Sequence, residues 1–463
     1  MFTTLAVQQQ NLRATILQAS QAPGVNQQAI CEDMIAEAEH QHPGISITFP
    51  TQATLRSSQS RAARAARPPI PTLENLNDIH IPEEYAIMTP PHGAPPAQFL
   101  LHKRSEINPD TQRRSGFVVF GNKSFVEKLC QADEISVDGT FKVAPEPFVR
   151  LLCVCFFYTR HAGAASTRKL FCGLQVLLSD KTQFLYSQVF AWIREYATTL
   201  QAEHNWPNTV RWQRAMMDFE DALINGLQAS FPNVTVSGCF FHFMQCIWSA
   251  IGRYGFATLY KQQGPFNEAV RKFRSLMLLP PERVVQGYDA LVADMSAAIE
   301  QVIPQDQQQA LVAFNNYLFG WINTPAKVAS CNVRNLLNHR TNNDLEGYNR
   351  RLNSRISQHA DFWTFIKELQ KEQFKQMIQY RQVCRGGALR AQRAQVRDNE
   401  QTIQDLQTDL DMALALPDVH NSHNQAILLF LSAVYPHVGD YHIVHQLPEP
   451  DDDVEAGGED ADA

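Results

Sequence analysis

Three acidic residues stand where the sequence pattern changes from one predicted element to the next. Asp138, in EISVDGTFK, ends an apolar stretch that is typical of a buried strand, and Asp218, in AMMDFEDA, ends a later one. Acids at such strand ends project to one rim of the sheet, where α/β folds keep their active sites. Glu346, in TNNDLEGYNRRLN, follows an N-cap region at 342–344 and so belongs to the first turns of a helix.

These three carboxylates together predict a metal site, although a single aspartate at a strand end is usually a turn residue. Carboxylates that converge on one rim cannot all stay ionised at low cost unless cations neutralise them. Their hard oxygen atoms suit Mg²⁺ or Mn²⁺. Two such ions would activate a water or a 3′-hydroxyl and stabilise the leaving oxygen of a phosphodiester. The pattern therefore indicates phosphoryl transfer on nucleic acid.

The elements that must position these acids are strands followed by helices. Apolar runs that suit covered strands are GFVVFG, EISVD, FVRLLCVCFFYT and LFCGLQVLLSD. After them, TQFLYSQVFAWIREYATTL has apolar residues at helical spacing, RWQRAMMDF is strand-like, DALINGLQASF is helical and NVTVSGCFF is strand-like again. This order predicts an α/β layer fold with a mixed sheet.

The rest of the chain is predicted to be helical, without an internal repeat. The regions that we expect are a helical, partly disordered N-terminal region with a basic helix (1–70), a linker (71–114), a first core segment (115–242), a helical insertion (243–340), a core helix with the third acid (341–375), a basic helical region (376–447) and an acidic disordered tail (448–463). The basic helix contains Arg56, Arg61, Arg64 and Arg67, of which the last three share one face, and Pro68 and Pro69 end it.

Composition predicts a soluble, intracellular, folded protein. Hydrophobic residues make up 44% of the chain, yet no run of about 18 uncharged apolar residues occurs, so we expect no membrane segment. The nine cysteines lack paired CxxC spacing, which favours reduced thiols. The net charge is −7, but the last 15 residues hold eight acids and no Lys or Arg, so the remainder is nearly neutral. Net charge therefore neither suggests nor excludes a nucleic-acid partner.

Several motifs occur together in an order that resembles one family. They are DGTFK at 138–142, LLSDK ending at 181, DFEDA at 218–222, FPNVTVSGCFFHFMQ at 231–245 and TNNDLEGYNRRLN at 341–353. Over residues 110–375 the chain resembles the transposase core of Mutator-like elements, a DDE family with a ribonuclease-H-like core. The resemblance implies a five-stranded mixed sheet with flanking helices, interrupted by a large helical insertion between the second and third acids.

The resemblance also implies the activity. Asp138, Asp218 and Glu346 match the catalytic, metal-binding positions of the family, and the cofactors would be two divalent cations, Mg²⁺ or Mn²⁺. Family members cut DNA at the terminal inverted repeats of their element and join the freed 3′ ends to target DNA. The implied partner is therefore DNA, the implied location is the nucleus, and a homo-oligomer is possible.

Cys239 and His242, in GCFFH, match a Cys-x-x-His signature of this family. Such a pair is half of a zinc site, and no clear second pair follows in the chain, so we favour a packing and hydrogen-bonding role over a metal role. Asn342 and Asn349 flank Glu346 and either orient it or touch phosphate, or cap the helix as polar surface residues. The sequence leaves these alternatives open.

Basic residues provide candidate DNA contacts. Arg350, Arg351 and Arg355 lie on the helix of Glu346, where substrate would enter. A solvated helix face is the more common explanation for such a run. Residues 1–110 do not supply the four ligands of the zinc module that relatives often carry upstream, since Cys31 is the only cysteine there.

Two other functions compete with an active transposase. A domesticated or degenerate transposase that regulates transcription by binding DNA would keep the fold and could keep the acids. An RNA-processing nuclease on the same fold is disfavoured because the motifs around Asp218, Cys239 and Glu346 are those of transposases, and because a ribonuclease H would not need the long helical insertion.

Overall fold

The computed structural model describes residues 4–22, 26–46, 49–89, 95–162, 165–336, 340–358, 360–389 and 394–438. The acidic tail at 448–463 lies outside these ranges. The strands are β1 Ile87–Met88, β2 Ala97–Gln98, β3 Leu100–Ile107, β4 Arg114–Phe120, β5 Glu134–Thr140, β6 Arg150–Ala162, β7 Ala165–Leu178, β8 Arg214–Met217 and β9 Thr235–Gly238.

Seven of these strands form one mixed sheet in the order β3-β4-β7-β6-β5-β8-β9. The neighbours from β3 to β5 are antiparallel, whereas β8 runs parallel to β5 and β9 parallel to β8. The predicted α/β fold with a mixed sheet is confirmed, and the sheet has two strands more than the five that the resemblance implies. β1 and β2 form a separate two-stranded ribbon.

The helices account for most of the remaining described residues. They are α1 Thr4–Ala19, α2 Gln27–Gln41, α3 Gln52–Ala65, α4 Glu83–Ala86, α5 Lys123–Cys130, α6 Gln183–His204, α7 Asp221–Ser230, α8 Phe240–Arg253, α9 Ala257–Lys261, α10 Pro265–Ser275, α11 Val284–Val302, α12 Gln308–Gly320, α13 Pro325–Cys331, α14 Asn343–Arg355, α15 Phe362–Cys384, α16 Ala394–Leu414 and α17 Ser422–Val434. Of the helices described, none is both long enough and apolar enough to cross a membrane.

Helices cover both faces of the sheet, as the uninterrupted apolar strands predict. Successive side chains of a strand point to opposite faces. Ile135 and Val137 of β5 join the core that α5, α6 and α7 form on one face. On the other face, Leu151 of β6 packs in a second core with Leu345 of α14 and Trp363 of α15. The sheet is therefore the middle layer of three.

A third core belongs to the helices that follow β9. Phe243 of α8, Phe273 of α10 and Phe314 of α12 are buried in it. Leu431 of α17 belongs to the same core, so the C-terminal helices return to pack on the helical insertion. The predicted strand NVTVSGCFF ends earlier than its pattern suggests, because β9 stops at Gly238 and the two phenylalanines begin α8. That boundary lies beside the candidate site.

Candidate functional site

Asp138 lies near the carboxyl end of β5, and the alternation of that strand decides which way it points. Ile135 and Val137 face the α5–α7 core, so Ser136, Asp138 and Thr140 face α14. The Asp138 carboxylate is buried, and its Oδ1 accepts a 2.7 Å hydrogen bond from the backbone N–H of the next residue. The predicted buried strand is confirmed, but its predicted end is wrong, because β5 continues through Gly139 to Thr140, whose residues pair with β6.

α14 is held against β5 by three polar contacts, which we call the asparagine seam. Ser136 donates to Asn342 Oδ1, Asn349 Nδ2 donates to Asp138 Oδ2 over 2.9 Å, and Thr140 donates to Asn353 Oδ1 over 3.1 Å. Residues that are four or seven positions apart lie on the same face of a helix, as Asn342, Asn349 and Asn353 do. Glu346 lies on that face, so the seam brings its carboxylate to the end of β5.

The helix start predicted for Glu346 is confirmed, but Asn342 plays a different part from a cap. Asn342 occupies the N-cap position of α14, yet its side chain makes no capping hydrogen bond. Its carbonyl oxygen accepts from Ser136 instead, and its backbone N–H donates to Cys239 Sγ over 3.2 Å. Asn342 therefore joins α14 to both β5 and the start of α8.

Asp218 follows β8, which pairs in parallel with β5, so both aspartates lie at the same rim of the sheet. Asp218 Oδ1 accepts a 2.7 Å hydrogen bond from the Phe219 N–H, and the side chain is 35% exposed. The Phe219 ring lies over Gly238, where an added Cβ would come within 2.1 Å of it. A glycine is therefore required at the end of β9 for this loop to pack as it does.

Cys239 and His242 come from the end of β9, the next parallel strand. Cys239 is buried at the N-cap position of α8, and its N–H donates to the Met217 carbonyl over 2.8 Å. His242 lies between two of the predicted acids. Its Nδ1 is 3.5 Å from Asp218 Oδ1, and its Nε2 is 3.8 Å from Glu346 Oε1. The structure thus brings together all the residues that the sequence singles out at this rim.

Burial and like charges raise the pKa values of Asp138 and Glu346. Burial raises the pKa of Asp138, although the charge of His242 opposes this. Burial also raises the pKa of Glu346 to about 7, against the effect of His242 and with a contribution from Asp138. Burial alone would lower the pKa of His242, but Asp218 and Cys239 outweigh it, and the pKa lies well above its ordinary value. A protonated His242 ring offsets part of the negative charge of the neighbouring carboxylates.

Several buried polar atoms at this rim have no hydrogen-bond partner in the described part of the chain. They are His242 Nδ1, Glu346 Oε1, Asn349 Oδ1 and Asn342 Nδ2. Buried polar atoms are normally paired, and a group of unpaired ones at one place needs an explanation such as a bound ion. The charges of Asp138 and Asp218 act on Glu346, and carboxylate oxygens of this kind are ligands that divalent cations such as Mg²⁺ accept.

The tightest group of possible metal ligands is not the three carboxylates. Among the described residues, the group whose ligand atoms all lie within 4.8 Å of one another is Cys239, His242 and Glu346. The two aspartates contribute to the electrostatics of Glu346 from outside this group. The site therefore contains hard oxygen ligands at the sheet and a softer sulfur and nitrogen pair at the start of α8.

The three predicted DNA-binding arginines differ in their surroundings. Arg350 and Arg351 are exposed on α14, and the Arg351 guanidinium lies 5.6 Å from the centre of the Tyr348 ring. Arg355 forms an ion pair with Glu372 of α15, whose side chain is only 6% exposed. Arg355 thus neutralises a buried carboxylate, whereas the other two arginines have their charges in solvent.

Glu220, the nearest acid beyond Asp218, has a structural partner. Its Oε2 accepts a hydrogen bond from Arg150, which is buried and also donates to the Tyr186 hydroxyl. Nothing in the local sequence pattern marks Arg150, Ser136 or Thr140 as part of this site. Asn353 could have been found from its spacing, because it extends the helical stripe of Asn342, Glu346 and Asn349 by one turn.

Comparison with protein-family models and with curated proteins identifies no relative of this chain. No protein-family model matches the chain, and no curated protein is significantly similar to it.

Proposed function

We propose that this protein is a DDE transposase of the Mutator-like type, which cleaves DNA at terminal inverted repeats and transfers the freed strands. The contiguous strands β7-β6-β5-β8-β9 support the ribonuclease-H-like part of this proposal, since they are a five-stranded mixed sheet with helices on both faces. The helices α8 to α13 lie between Asp218 and Glu346 in the chain, as the resemblance implies for the insertion.

One observation carries the proposal: three acids far apart in sequence meet at one rim of the sheet. Asp138 lies near the end of β5, Asp218 follows the adjacent parallel strand β8, and His242 lies between Asp218 and Glu346. Structural ion pairs would match each acid with a base, whereas here the single imidazole of His242 faces two carboxylates. Acids gathered around one imidazole are the arrangement that cation-dependent phosphoryl-transfer sites need.

The protein's own groups divide the work of this reaction. Two Mg²⁺ or Mn²⁺ ions, when bound by Asp138, Asp218 and Glu346, would supply the charge that activates the attacking oxygen and stabilises the leaving one. Asn349 fixes the orientation of the Asp138 carboxylate through its 2.9 Å hydrogen bond. The backbone N–H of Phe219 does the same for Asp218. The Phe219 contact leaves Asp218 Oδ2 free to act as a ligand. Both Asp138 oxygens accept one hydrogen bond each, and each keeps a second lone pair for a metal ion.

DNA would approach along the exposed side of α14. Arg350 and Arg351 are exposed there on the helix that carries Glu346, so they are the two arginines that we assign to phosphate contacts. Arg355 makes a smaller contribution in this proposal because its charge is already paired with Glu372. Activity on chromosomal DNA places the protein in the nucleus, and a homo-oligomer would hold two element ends together.

A cleavage assay tests the proposal. The full chain is incubated with labelled DNA from the regions that flank its own coding sequence, in Mg²⁺ or Mn²⁺. We expect nicks at inverted repeats, and a loss of at least about 100-fold in Asp138→Asn, Asp218→Asn and Glu346→Gln. Asp221→Asn is the matched control, because Asp221 is exposed three residues after Asp218.

Two results would overturn the proposal. One is cleavage that persists in the three acid variants at the level of Asp221→Asn. The other is a folded wild-type protein that binds the repeat DNA without cutting it, which would favour the domesticated DNA-binding regulator. Preference for an RNA–DNA hybrid over duplex DNA would instead favour the RNA-processing nuclease.

A further inference from the structure

The group formed by Cys239, His242 and Glu346 has the composition of a transition-metal site. Their ligand atoms all lie within 4.8 Å of one another, and His242 Nε2 is 3.8 Å from Glu346 Oε1. A tetrahedral Zn²⁺ ion, with ligand distances of about 2.0 to 2.3 Å, would hold such atoms about 3.5 Å apart. Side-chain movements of about 1 Å would therefore be enough to close the group around an ion.

We propose that these three residues bind one Zn²⁺ ion, with the fourth coordination position open to solvent or substrate. Thiolate, imidazole and carboxylate together are ligands that zinc accepts, whereas Mg²⁺ prefers oxygen alone. Three protein ligands with one open position are the pattern of reactive rather than purely structural zinc sites. The existence of this site does not depend on DNA cleavage.

The surroundings hold each ligand in the orientation that zinc binding needs. His242 Nε2 faces Glu346, while Nδ1 faces Asp218 Oδ1 at 3.5 Å. A metal-bound histidine usually donates its other N–H to a carboxylate, which fixes the ring and its tautomer. Asn342 donates its backbone N–H to Cys239 Sγ over 3.2 Å, as an outer contact to a metal-bound sulfur would.

Local secondary structure explains why the Cys-x-x-His spacing converges. Cys239 is the N-cap of α8 and His242 is its third residue, so both side chains lie at the same end of the helix. The partial positive charge of a helix N-terminus stabilises a metal-bound thiolate there. Glu346 Oε1 is buried without a hydrogen-bond partner among the described residues, as an unfilled ligand position would be. Zinc binding would release the Cys239 thiol proton, and that of a charged His242, to solvent.

This site shares Glu346 with the proposed cleavage site, so the two metal sites would exclude each other. When Glu346 Oε1 binds zinc beside Cys239, it is withdrawn from the ions held by the two aspartates. Resting on the proposed function, we infer that excess Zn²⁺ inhibits Mg²⁺-dependent cleavage and that Cys239→Ser relieves this inhibition. Zinc would then act as a regulator of the transposase site.

Metal binding to the intact, metal-free chain tests the proposal without any cleavage assay. Zn²⁺ titration should show one equivalent bound, and Co²⁺ in its place should give a near-ultraviolet sulfur-to-cobalt charge-transfer band. Cys239→Ser should lose the band, whereas Cys384→Ser should keep it, because Cys384 is an exposed free cysteine at the end of α15. Asp218→Asn should weaken zinc binding by roughly 10- to 100-fold through the His242 ring.

Circular dichroism and melting curves establish that each variant is folded. If Cys239→Ser does not fold, Glu346→Gln replaces it, with the expectation that zinc affinity falls while the cobalt–sulfur band remains. The proposal is wrong if the wild-type chain binds no stoichiometric zinc, or if Cys239→Ser binds cobalt with an unchanged band. Cleavage in Mg²⁺ without zinc binding would remove this proposal and leave the proposed function standing.

Discussion

Asp138 and Glu346 lie at the same rim of the sheet, but different kinds of contact hold them there. Asp138 is part of β5, which is paired on both sides, antiparallel to β6 and parallel to β8. Glu346 is on α14, which contacts the sheet through side chains, both apolar ones such as Leu345 and the polar pairs of the asparagine seam. One acid is positioned by backbone hydrogen bonds and the other by side-chain contacts.

The difference implies that the two acids respond differently to mutation. A strand between two partners can shift only if both ladders shift with it, so changes near Asp138 act through global stability. A helix seated by side chains can move by fractions of an ångström when one contact is lost. Glu346 is also the acid that both proposed metal sites need. Small movements of α14 would allow its carboxylate to bind a metal ion in one site or the other.

The largest expected effect is on the strand side, at Gly139. An added Cβ at Gly139 would lie 1.9 Å from Arg150 Nε, and this guanidinium is buried and paired with Glu220. Gly139→Ala must therefore displace a buried ion pair, and we expect a loss of about 3 to 5 kcal/mol in the free energy of unfolding, measured with urea. Gly347→Ala in α14 is the matched control. Its Cβ would meet no atom within 4 Å, and a helix interior gains roughly 0.5 to 1 kcal/mol from this change.

The next largest effect concerns the helix-borne acid and depends on pH. Burial raises the pKa of Glu346 to about 7 from an ordinary value of 4.5. Between these values the folded protein binds more protons than the unfolded chain, so the free energy of unfolding falls as pH rises through this window. At 1.36 kcal/mol for each unit of pKa shift, the ionised Glu346 carboxylate lowers the free energy of unfolding by about 3 kcal/mol above pH 7. Glu346→Gln should therefore be more stable than the wild type at pH 8 and about equal to it at pH 4.

Urea unfolding in a chelator at pH 4, 6 and 8 measures this difference, and Mg²⁺ or Mn²⁺ should narrow it by stabilising the wild type. Asp361→Ala is a control of opposite sign. Burial raises the pKa of Asp361, but hydrogen bonds from Thr364 and the charge of Arg67 outweigh this effect and lower it. The ionised Asp361 carboxylate therefore stabilises the fold above pH 3.8, and this stabilisation is lost as pH falls through the folded-state pKa. A Glu346→Gln protein that is less stable than the wild type at pH 8 would show that His242 stabilises the carboxylate more than burial penalises it.

The parts of the fold that local pattern determines were predictable from the sequence. The uninterrupted apolar runs of β6 and β7 indicate strands covered on both faces, and the acids that end such runs indicate the rim. β3 is not predicted, because it is an edge strand with mostly half-exposed residues, and its sequence LLHKRSEI alternates only weakly. The helical pattern around Glu346 predicts α14 but not its partner in space.

Contacts between distant segments are the part that the sequence does not reveal. Ser136 and Asn342 are 206 residues apart, and neither residue's neighbourhood specifies the other. Cys239 and His242 form a predictable pair, yet their third partner, Glu346, lies on another helix more than 100 residues away. Periodicity reveals which residues share a helix face, whereas tertiary packing decides what that face meets.

The smallest effect in this comparison tests how α14 is seated, at Tyr348. The buried Tyr348 hydroxyl accepts hydrogen bonds from Gln175 Nε2 of β7 at 2.7 Å and from Gln376 Nε2 of α15 at 3.3 Å. Tyr348→Phe keeps the ring and its packing but leaves the Gln175 amide donor buried without that acceptor. An unpaired buried donor costs about 1 to 2 kcal/mol, so we expect the free energy of unfolding in urea to fall by that amount.

Tyr288→Phe is the matched control for this change, because its hydroxyl donates only a long 3.4 Å hydrogen bond to the Asn315 carbonyl from a half-buried position. Its loss should cost less than about 0.5 kcal/mol, as for most substitutions away from buried networks. If Tyr348→Phe costs no more than the control, the Tyr348 hydroxyl does not help to hold α14 against the sheet. If the cost is larger and zinc affinity also falls, the same side-chain contacts that hold α14 must set the position of Glu346, because this substitution leaves the charge of every metal ligand unchanged.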